Sequence, residues 1–479
     1  MRINFKFKES ILVNILLFVF FIIFIILAYL SEGTYGGADD ITHYRFSRYA
    51  FQYPEFFLNH WAKPVFTLLS SPFAQFGFIG MKFFNVIIGT LTTFYTYKTA
   101  KKLGLKNSVL VILFTFSSVL YPALMITGMT EILFSFVLIV SILLLLNKRY
   151  VFSAIVLSFL PLVRTEGIVL LVVFVFAFLY YKKYYQLIFL SSGAFIYSVI
   201  GWFYYNDFLW LITKMPYGDS TDIYGTGNLF YFIEQSKNIF GILLSILISI
   251  GIIIILFFLL KPKLNRLNYD NLKVFLLILL PASAYYWAHS FSWYLGIGSS
   301  LGLIRVMAAI IPLFAIIALI SYNYIIEKIK LKKQFSNIVS VIIIILLFHS
   351  TLSVNTFPVP LREKNQLIKD ASIWLINSEY RNNKVYYYDP YFFFFMDKNP
   401  YDNTIMEEFI PDKEKPGNKM KNNEILIWDA HFSPNEGRLA LSKVEQSKLL
   451  RKIKVFKPKN KFTVLGGYEY QIIFFQRIN

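Results

Sequence analysis

The sequence has no cysteine and little charge. Without cysteine there is no disulfide framework, no thiolate nucleophile and no Cys-ligated metal site. Charged residues make up only 16% of the 479, whereas 56% are hydrophobic and 19% aromatic, and mean hydropathy is positive. A water-soluble domain of this length does not tolerate that balance, so most of the chain belongs in a membrane. Internal repeats and low-complexity tracts are also missing. That argues against the duplicated halves on which many secondary transporters are built. The abundant Phe (51) and Tyr (33) suit lipid-facing surfaces and the interfacial belts where amphipathic rings settle.

Apolar runs of roughly 20 residues are needed to cross about 30 Å of hydrocarbon. Such runs fall near 11–30, 79–97, 108–127, 129–146, 186–205, 238–260, 273–289, 303–322 and 337–353. Two shorter runs, 151–163 and 168–181, are separated by PLVRTEG and predict a hairpin with Arg164 and Glu166 at its tip. The expected fold is therefore mainly α: a polytopic helical bundle of about eleven membrane helices. The connecting segments RINFKFK, KTAKKLGLK, NKRY, KKYY, KPKLNR and EKIKLKK fall on one side of this layout and are overwhelmingly basic. The opposite loops and the charges within the spans carry slightly more acids than bases. The positive-inside bias makes the basic side cytoplasmic, so the N-terminus lies inside and the chain is a multi-pass protein of the cytoplasmic (inner) membrane. The net charge of +19 is then largely a topology signal, and no nucleic-acid partner is implied. The run 11–30 is long and lacks a small-residue cleavage site, so it reads as a retained anchor.

After residue 353 the character changes. Strand-like runs VYYYDP (385–390), ILIWDAHF (425–432), KIKVF (452–456) and YQIIFFQ (470–476) alternate with helical periodicity in LREKNQLIKDASIWLINSEY and GRLALSKVEQSKLL. This predicts a membrane domain over 1–353 and a small extracytoplasmic α/β domain over 354–479, with 397–423 as a loop. Its polar residues Asp389, Trp428, Asp429 and His431 form no evident complete active site, so acceptor recognition or packing is the expected task.

The first outer loop, 31–78, holds the stretch YGGADDITHYRF, residues 35–46. One aspartate would cap an amphipathic helix starting near Ile41, the glycines supplying the turn. Capping needs a single carboxylate, so Asp39 and Asp40 leave one acid over, with His43, Tyr44 and Arg45 on the next turn. Downstream, aromatics alternate with Glu55, His60 and Lys63, as in a segment lying in the interface plane. Lys63 is either a snorkelling lysine or an ammonium placed to meet a phosphate. Glu131, Arg164, Glu166 and Arg305 lie at membrane depth, where each charge costs roughly 2.5–3.5 kcal/mol and needs a partner or a wet cavity. Arg164 paired with Glu131 or Glu166 would be a purely structural explanation; Lys63, Arg164 and Arg305 on one outward face instead suit a phosphate. The loop residues Asp207, Lys214, Tyr217, Asp219 and Asp222 read as solvated, and His289 beside two tryptophans as a sugar or headgroup contact or an interfacial anchor.

Taken in order, ADDITHYRFSRYA, HWAKPVFTLLSSP, TGMTEILFS, PLVRTEGIVLL and LIRVMAAIIPLFAII resemble the polytopic GT-C glycosyltransferases, particularly prokaryotic relatives of the protein mannosyltransferases and of the lipid A aminoarabinose transferase. The resemblance covers most of residues 1–330, and the overall plan extends it to the outer domain. It implies a first-loop acid, Asp39 or Asp40, as catalytic base or acceptor-site residue, of which Asp39 is taken as the base and Asp40 as its support, and Lys63, Arg164 and Arg305 as ligands of a polyprenyl-phosphate sugar donor. His43, Glu131, Glu166 and His289 would support or contact substrate. The acceptor would be a glycan, lipid or protein. No cofactor is implied with certainty; the acid pair could hold a divalent cation, and no other acidic cluster is evident in the sequence. The rival readings are a lipid or sugar transporter or flippase, and a catalytically silent assembly protein on the same scaffold.

Overall fold

The computed structural model describes residues 5–216, 225–265, 269–298, 300–329 and 333–478. Tyr217, Asp219 and Asp222 lie outside the described residues. By its contacts the chain divides into two compact units: residues 1–36 with 43–359, and residues 37–42 with 360–479.

The first unit is helical. Six helices among the described residues are long and apolar enough to cross a membrane: Glu9–Leu30, Phe78–Lys102, Tyr184–Tyr205, Ile242–Leu260, Asn271–Leu295 and Ile304–Ile329. At 1.5 Å per residue, even the shortest approaches about 30 Å. Shorter apolar helices occupy Pro64–Ala74, Glu131–Leu146, Tyr150–Val163, Gly167–Tyr180 and Ile338–Val354. Apart from 108–127, each of the predicted apolar segments coincides largely with one of these helices. The helix Ile304–Ile329 is the most enclosed, its residues from Val306 to Asn323 all buried. Close approach explains one glycine on its neighbour: a Cβ at Gly251 would stand 2.3 Å from the Ile317 carbonyl oxygen.

The expected span 108–127 is broken into Leu110–Phe116 and Leu120–Met125. Backbone carbonyls freed at a break inside an apolar environment need donors. Thr351 donates its hydroxyl to the Ser117 carbonyl, and Asn355 Nδ2 donates to the Val119 carbonyl at 2.7 Å. The next turn is held likewise, with Asn85 Nδ2 donating to the carbonyls of Thr127 and Met129, each at 2.8 Å.

The segment joining the first long helix to the acid-bearing helix Ala38–Tyr49 is tightly tied. Lys82, 3% exposed, donates to the carbonyls of Ser31 (2.7 Å) and Gly33 (3.3 Å). Val359 exchanges bonds with Ser31 and Gly33, and Tyr35 with Thr356. Arg305 Nη1 then donates to the Gly36 carbonyl at 2.9 Å. The helix starts at Ala38, not near Ile41, so Asp39 and Asp40 sit in its first turn and neither occupies the cap position. Two carboxylates there are favourable to the exposed amides and dipole of the helix start.

The second unit carries a five-stranded mixed sheet in the order β2-β1-β3-β5-β4, with β1 Val385–Tyr387, β2 Met406–Glu408, β3 Ile425–Asp429, β4 Leu450–Phe456 and β5 Ile472–Arg477. β1 lies parallel to β2 and β3, while β5 runs antiparallel to β3 and β4. The helix Glu363–Asn377 packs Trp374 on Phe456 and Phe474. The expected helix over 437–450 is reduced to Leu441–Gln446, because pairing with β5 claims Leu450 onward. β2 falls within the stretch expected to be loop; three residues at a sheet edge leave little periodic signal.

Val385 pairs in register with Ile425, so counting four residues along each strand direction brings Asp389, just past the end of β1, level with Asp429, the last residue of β3. Both are fully buried, and Lys364 Nζ reaches Asp389 at 2.8 Å. Burial and the neighbouring Asp389 charge push Asp429 up to about 6. A carboxyl raised in the folded state contributes stability at low pH that is lost as pH rises through its folded value. A tenfold difference in proton affinity between folded and unfolded chains corresponds to about 1.4 kcal/mol. Asp429→Asn is therefore expected to leave stability unchanged near pH 3, below the ordinary carboxylate value, and to raise it by about 1–3 kcal/mol near pH 8. Hydrogen exchange of the β3 amides at the two pH values measures this.

Candidate active site

Five separate stretches of the first unit bring their charged side chains together. Glu131, at the start of the helix Glu131–Leu146, is 0% exposed. Arg164, in the turn between the two shorter apolar helices, reaches Glu131 with Nη1 at 2.8 Å and Glu166 with Nη2 at 2.9 Å. The same Nη1 donates to Thr130 Oγ1 at 3.0 Å. Arg305 approaches Glu131 from the opening turn of its helix, Nε to Oε1 at 3.9 Å. His289 Nε2 lies 3.7 Å from Glu166, with its ring edge-on to Tyr285. Lys63 Nζ donates to Thr165 Oγ1 at 3.3 Å.

The structural ion pair considered for Arg164 is thus present, with Glu131 and Glu166 both as partners. Lys63, Arg164 and Arg305 together outnumber Glu131 and Glu166. Lys63 also sits at φ 64°, a left-handed backbone conformation that is uncommon outside glycine. Pro64 follows it and opens the helix Pro64–Ala74. Such strained residues gather where geometry is under functional constraint.

His43, one turn beyond the aspartates, is 5% exposed and packs on Trp61 and Phe66. Burial, and then the positive charges of Lys63, Arg164 and Arg305, hold its imidazole well below the usual 6.5. The ring is accordingly neutral at neutral pH. It can donate or accept one hydrogen bond beside three cations without adding to their charge.

Other residues picked out from the sequence have local tasks. His60 Nε2 lies 3.3 Å from the Trp210 carbonyl. Arg45 lies over the Phe46 ring and Tyr44 packs edge-on to Phe78. Glu55 is in the short helix Pro54–Leu58. Asp207 accepts from the Leu209 amide and the Thr213 hydroxyl, and Lys214 covers the Tyr205 ring. Asp39 and Asp40 group by contact with the second unit; Asp40 is 0% exposed and Asp39 half-buried. Among the described residues no group of three or more His, Asp or Glu side chains is placed to hold a metal ion. Sequence reasoning missed Lys82, Thr130, Thr165 and Tyr285. Lys82 alone had a legible signal, a cation five residues into a predominantly apolar helix.

No sequence family matches this chain, and no curated protein matches it. Solved structures do. ArnT from Cupriavidus metallidurans bound to undecaprenyl phosphate aligns over 98% of this chain and 98% of its own, with a TM-score of 0.57 and 11% sequence identity. The same protein in the apo state aligns over the same shares with a TM-score of 0.59 and 11% identity. The fold is that of ArnT. The agreement runs through both units, so the chain is a multi-pass membrane protein carrying a C-terminal mixed sheet domain in the ArnT manner. This is the mainly helical plan with a small α/β domain that the sequence predicted.

Two outcomes follow from the cluster. Glu131→Gln removes the buried counter-charge of two arginines and is expected to cost about 3–5 kcal/mol, the usual effect of breaking a buried pair from one side. Thermal unfolding in detergent measures it. For His43, the unfolded chain binds a proton below 6.5 that the folded chain refuses, so its contribution destabilises as pH falls and vanishes above 6.5. His43→Phe should flatten the fall in stability between about pH 6.5 and 5 by roughly 1–2 kcal/mol, measured by unfolding at both pH values.

Proposed function

We propose that the protein is an integral-membrane glycosyltransferase of the GT-C type, moving a sugar from a polyprenyl-phosphate donor to an acceptor on the outer face of the cytoplasmic membrane. The observation that carries this reading is the gathering of Lys63, Arg164 and Arg305 around the buried Glu131 and its neighbour Glu166, on a fold whose solved relative was captured with undecaprenyl phosphate. Arginine forks and a lysine ammonium suit a phosphate oxygen cluster, and in a poorly hydrated site their attraction is strong. The apolar spans supply the surroundings that a polyprenyl tail needs.

In this reading a first-loop carboxylate, Asp39 with Asp40 in support, takes the proton from the acceptor hydroxyl. The acceptor oxygen then forms its bond to the anomeric carbon from the face opposite the phosphate. The carbon–oxygen bond to the phosphate breaks, and the phosphate leaves with the electron pair, stabilised by Lys63, Arg164 and Arg305. A single displacement inverts the anomeric centre. His43 lies three and four residues beyond the two aspartates, on the same helix face, and as a neutral ring it orients the acceptor or donor sugar by hydrogen bonding. Glu131 and Glu166 hold the arginines in place. The second unit, on the outer side, recognises the acceptor.

The decisive experiment compares surface glycans by mass spectrometry in a strain lacking the protein and in the same strain supplied with variants. Asp39→Asn and Asp40→Asn are expected to insert normally while transfer falls at least about 100-fold for one or both, the usual scale for losing a general base. Parental transfer by both single variants and by the double variant would sink the proposal.

A further inference from the structure

We propose that Tyr391, in the C-terminal sheet domain, is a positioning residue that sets the orientation of the acid-bearing first turn Ala38–Asp40. Its hydroxyl donates to the Gly37 carbonyl at 3.1 Å, and the residue is 3% exposed. The inference rests on the reading of Asp39 and Asp40 as the catalytic pair, and extends it to a domain that the sequence left without a chemical task.

Gly37 is the swivel. Its φ of +70° is a backbone state that L side chains rarely adopt, and nothing lies within 4 Å of where a Cβ would be. Glycine is needed there for the backbone angle alone, so side-chain crowding does nothing to fix the direction in which the helix leaves the turn. The preceding carbonyl, Gly36, is already held by Arg305. A bond to the Gly37 carbonyl restrains the peptide plane that leads directly into Ala38, and thus the heading of the two carboxylates that follow. Rigid support of this kind decides whether a catalytic group is held within a few tenths of an ångström of a productive position.

Tyr391 is built to be such a support. Its backbone amide donates to Asp389 Oδ1 at 3.0 Å, and Asp389 is in turn ion-paired with Lys364. Its ring stacks on Phe395 with centroids 5.6 Å apart and planes 24° apart. The groups facing its hydroxyl are Asp40, Asp389, Arg362 and Asn365. Burial and then the two carboxylates hold the phenol well above its ordinary range, so it remains a hydrogen-bond donor. The Asp389–Lys364 pair, which has no part in the transfer chemistry, thereby gains a purpose: it anchors the backbone from which the Tyr391 side chain reaches the acid turn.

The test uses the full-length protein. Tyr391→Phe keeps the ring and its stacking and deletes only the donor, so folding is expected to be retained. Transfer, read as glycan product, should fall about tenfold, and amide exchange over residues 37–42 should quicken about five- to tenfold, the scale of one lost hydrogen bond. Binding of undecaprenyl phosphate to the purified protein should stay parental, a split that general destabilisation would not produce. Gly37→Ala strains the same swivel from the other side and should reproduce the pattern. Parental transfer by Tyr391→Phe, with Asp39→Asn or Asp40→Asn inactive, overturns the positioning role and leaves the proposed function standing. Loss of transfer without any change in exchange also overturns it. Parental transfer by both aspartate variants and by their double variant overturns the function, and this inference with it.

Discussion

The membrane unit depends on the neutralisation of Glu131. A carboxylate with no solvent exposure, at the start of an apolar helix, is tolerable only if cations reach it, and here two do, from residues 164 and 305. Their other contacts extend the bond outward. Arg164 recruits Glu166, Glu166 draws in His289, the adjoining Thr165 receives Lys63, and Arg305 reaches on to the carbonyl of Gly36. Charges far apart in sequence thus fix one another's positions, because each would otherwise be a buried ion without compensation. The same requirement supplies the cations that the proposed chemistry uses, so structural and catalytic roles need not be alternatives for Arg164 and Arg305.

A comparable economy governs the second unit. In register with one another, Asp389 lies two residues past the end of β1 and Asp429 is the last residue of β3, and the two share Lys364 as a half-buried neighbour. Two buried acids and one close base are an uncomfortable arrangement at neutral pH, and burial raises the proton affinity of Asp429 in response. The arrangement persists because the backbone around it is fully engaged: Asp429 accepts from the amides of His431 and Phe432, and Asp389 from that of Tyr391. β4 shows the opposite solution at the edge of the sheet. Its Arg451, Lys452 and Lys454 keep an exposed strand from pairing with other chains.

Much of this is legible in the sequence alone. Apolar length locates the long helices, because hydrocarbon thickness imposes a minimum that no other part of a chain imitates. The break in apolar character at PLVRTEG predicts a turn that carries Arg164 and Glu166, and both lie in or at the turn between the helices Tyr150–Val163 and Gly167–Tyr180. Membrane depth demands partners for Glu131 and Arg305, and they are partners of each other. What escapes has weak local expression. β2 is three residues long and exists through its neighbour β1; the break at 117–119 depends on donors from Thr351 and Asn355, more than 200 residues away. The acid helix begins three residues earlier than its pattern predicts, since two adjacent aspartates look alike to a pattern whether they cap a helix or begin it.

Composition and hydrophobic run length determined by themselves that this is a membrane protein of many helices with a charged α/β tail, since transfer free energies act on each residue regardless of fold. Tertiary structure alone decided which charges meet. Glu131, Arg164 and Arg305 are separated by long stretches of chain, and an ion pair depends on ångströms that no spacing in sequence encodes. It also decided that YGGADD is held at successive carbonyls by Arg305 and Tyr391, residues 269 and 354 positions away. A glycine pair reads in sequence only as freedom; what removes that freedom comes from elsewhere in the fold.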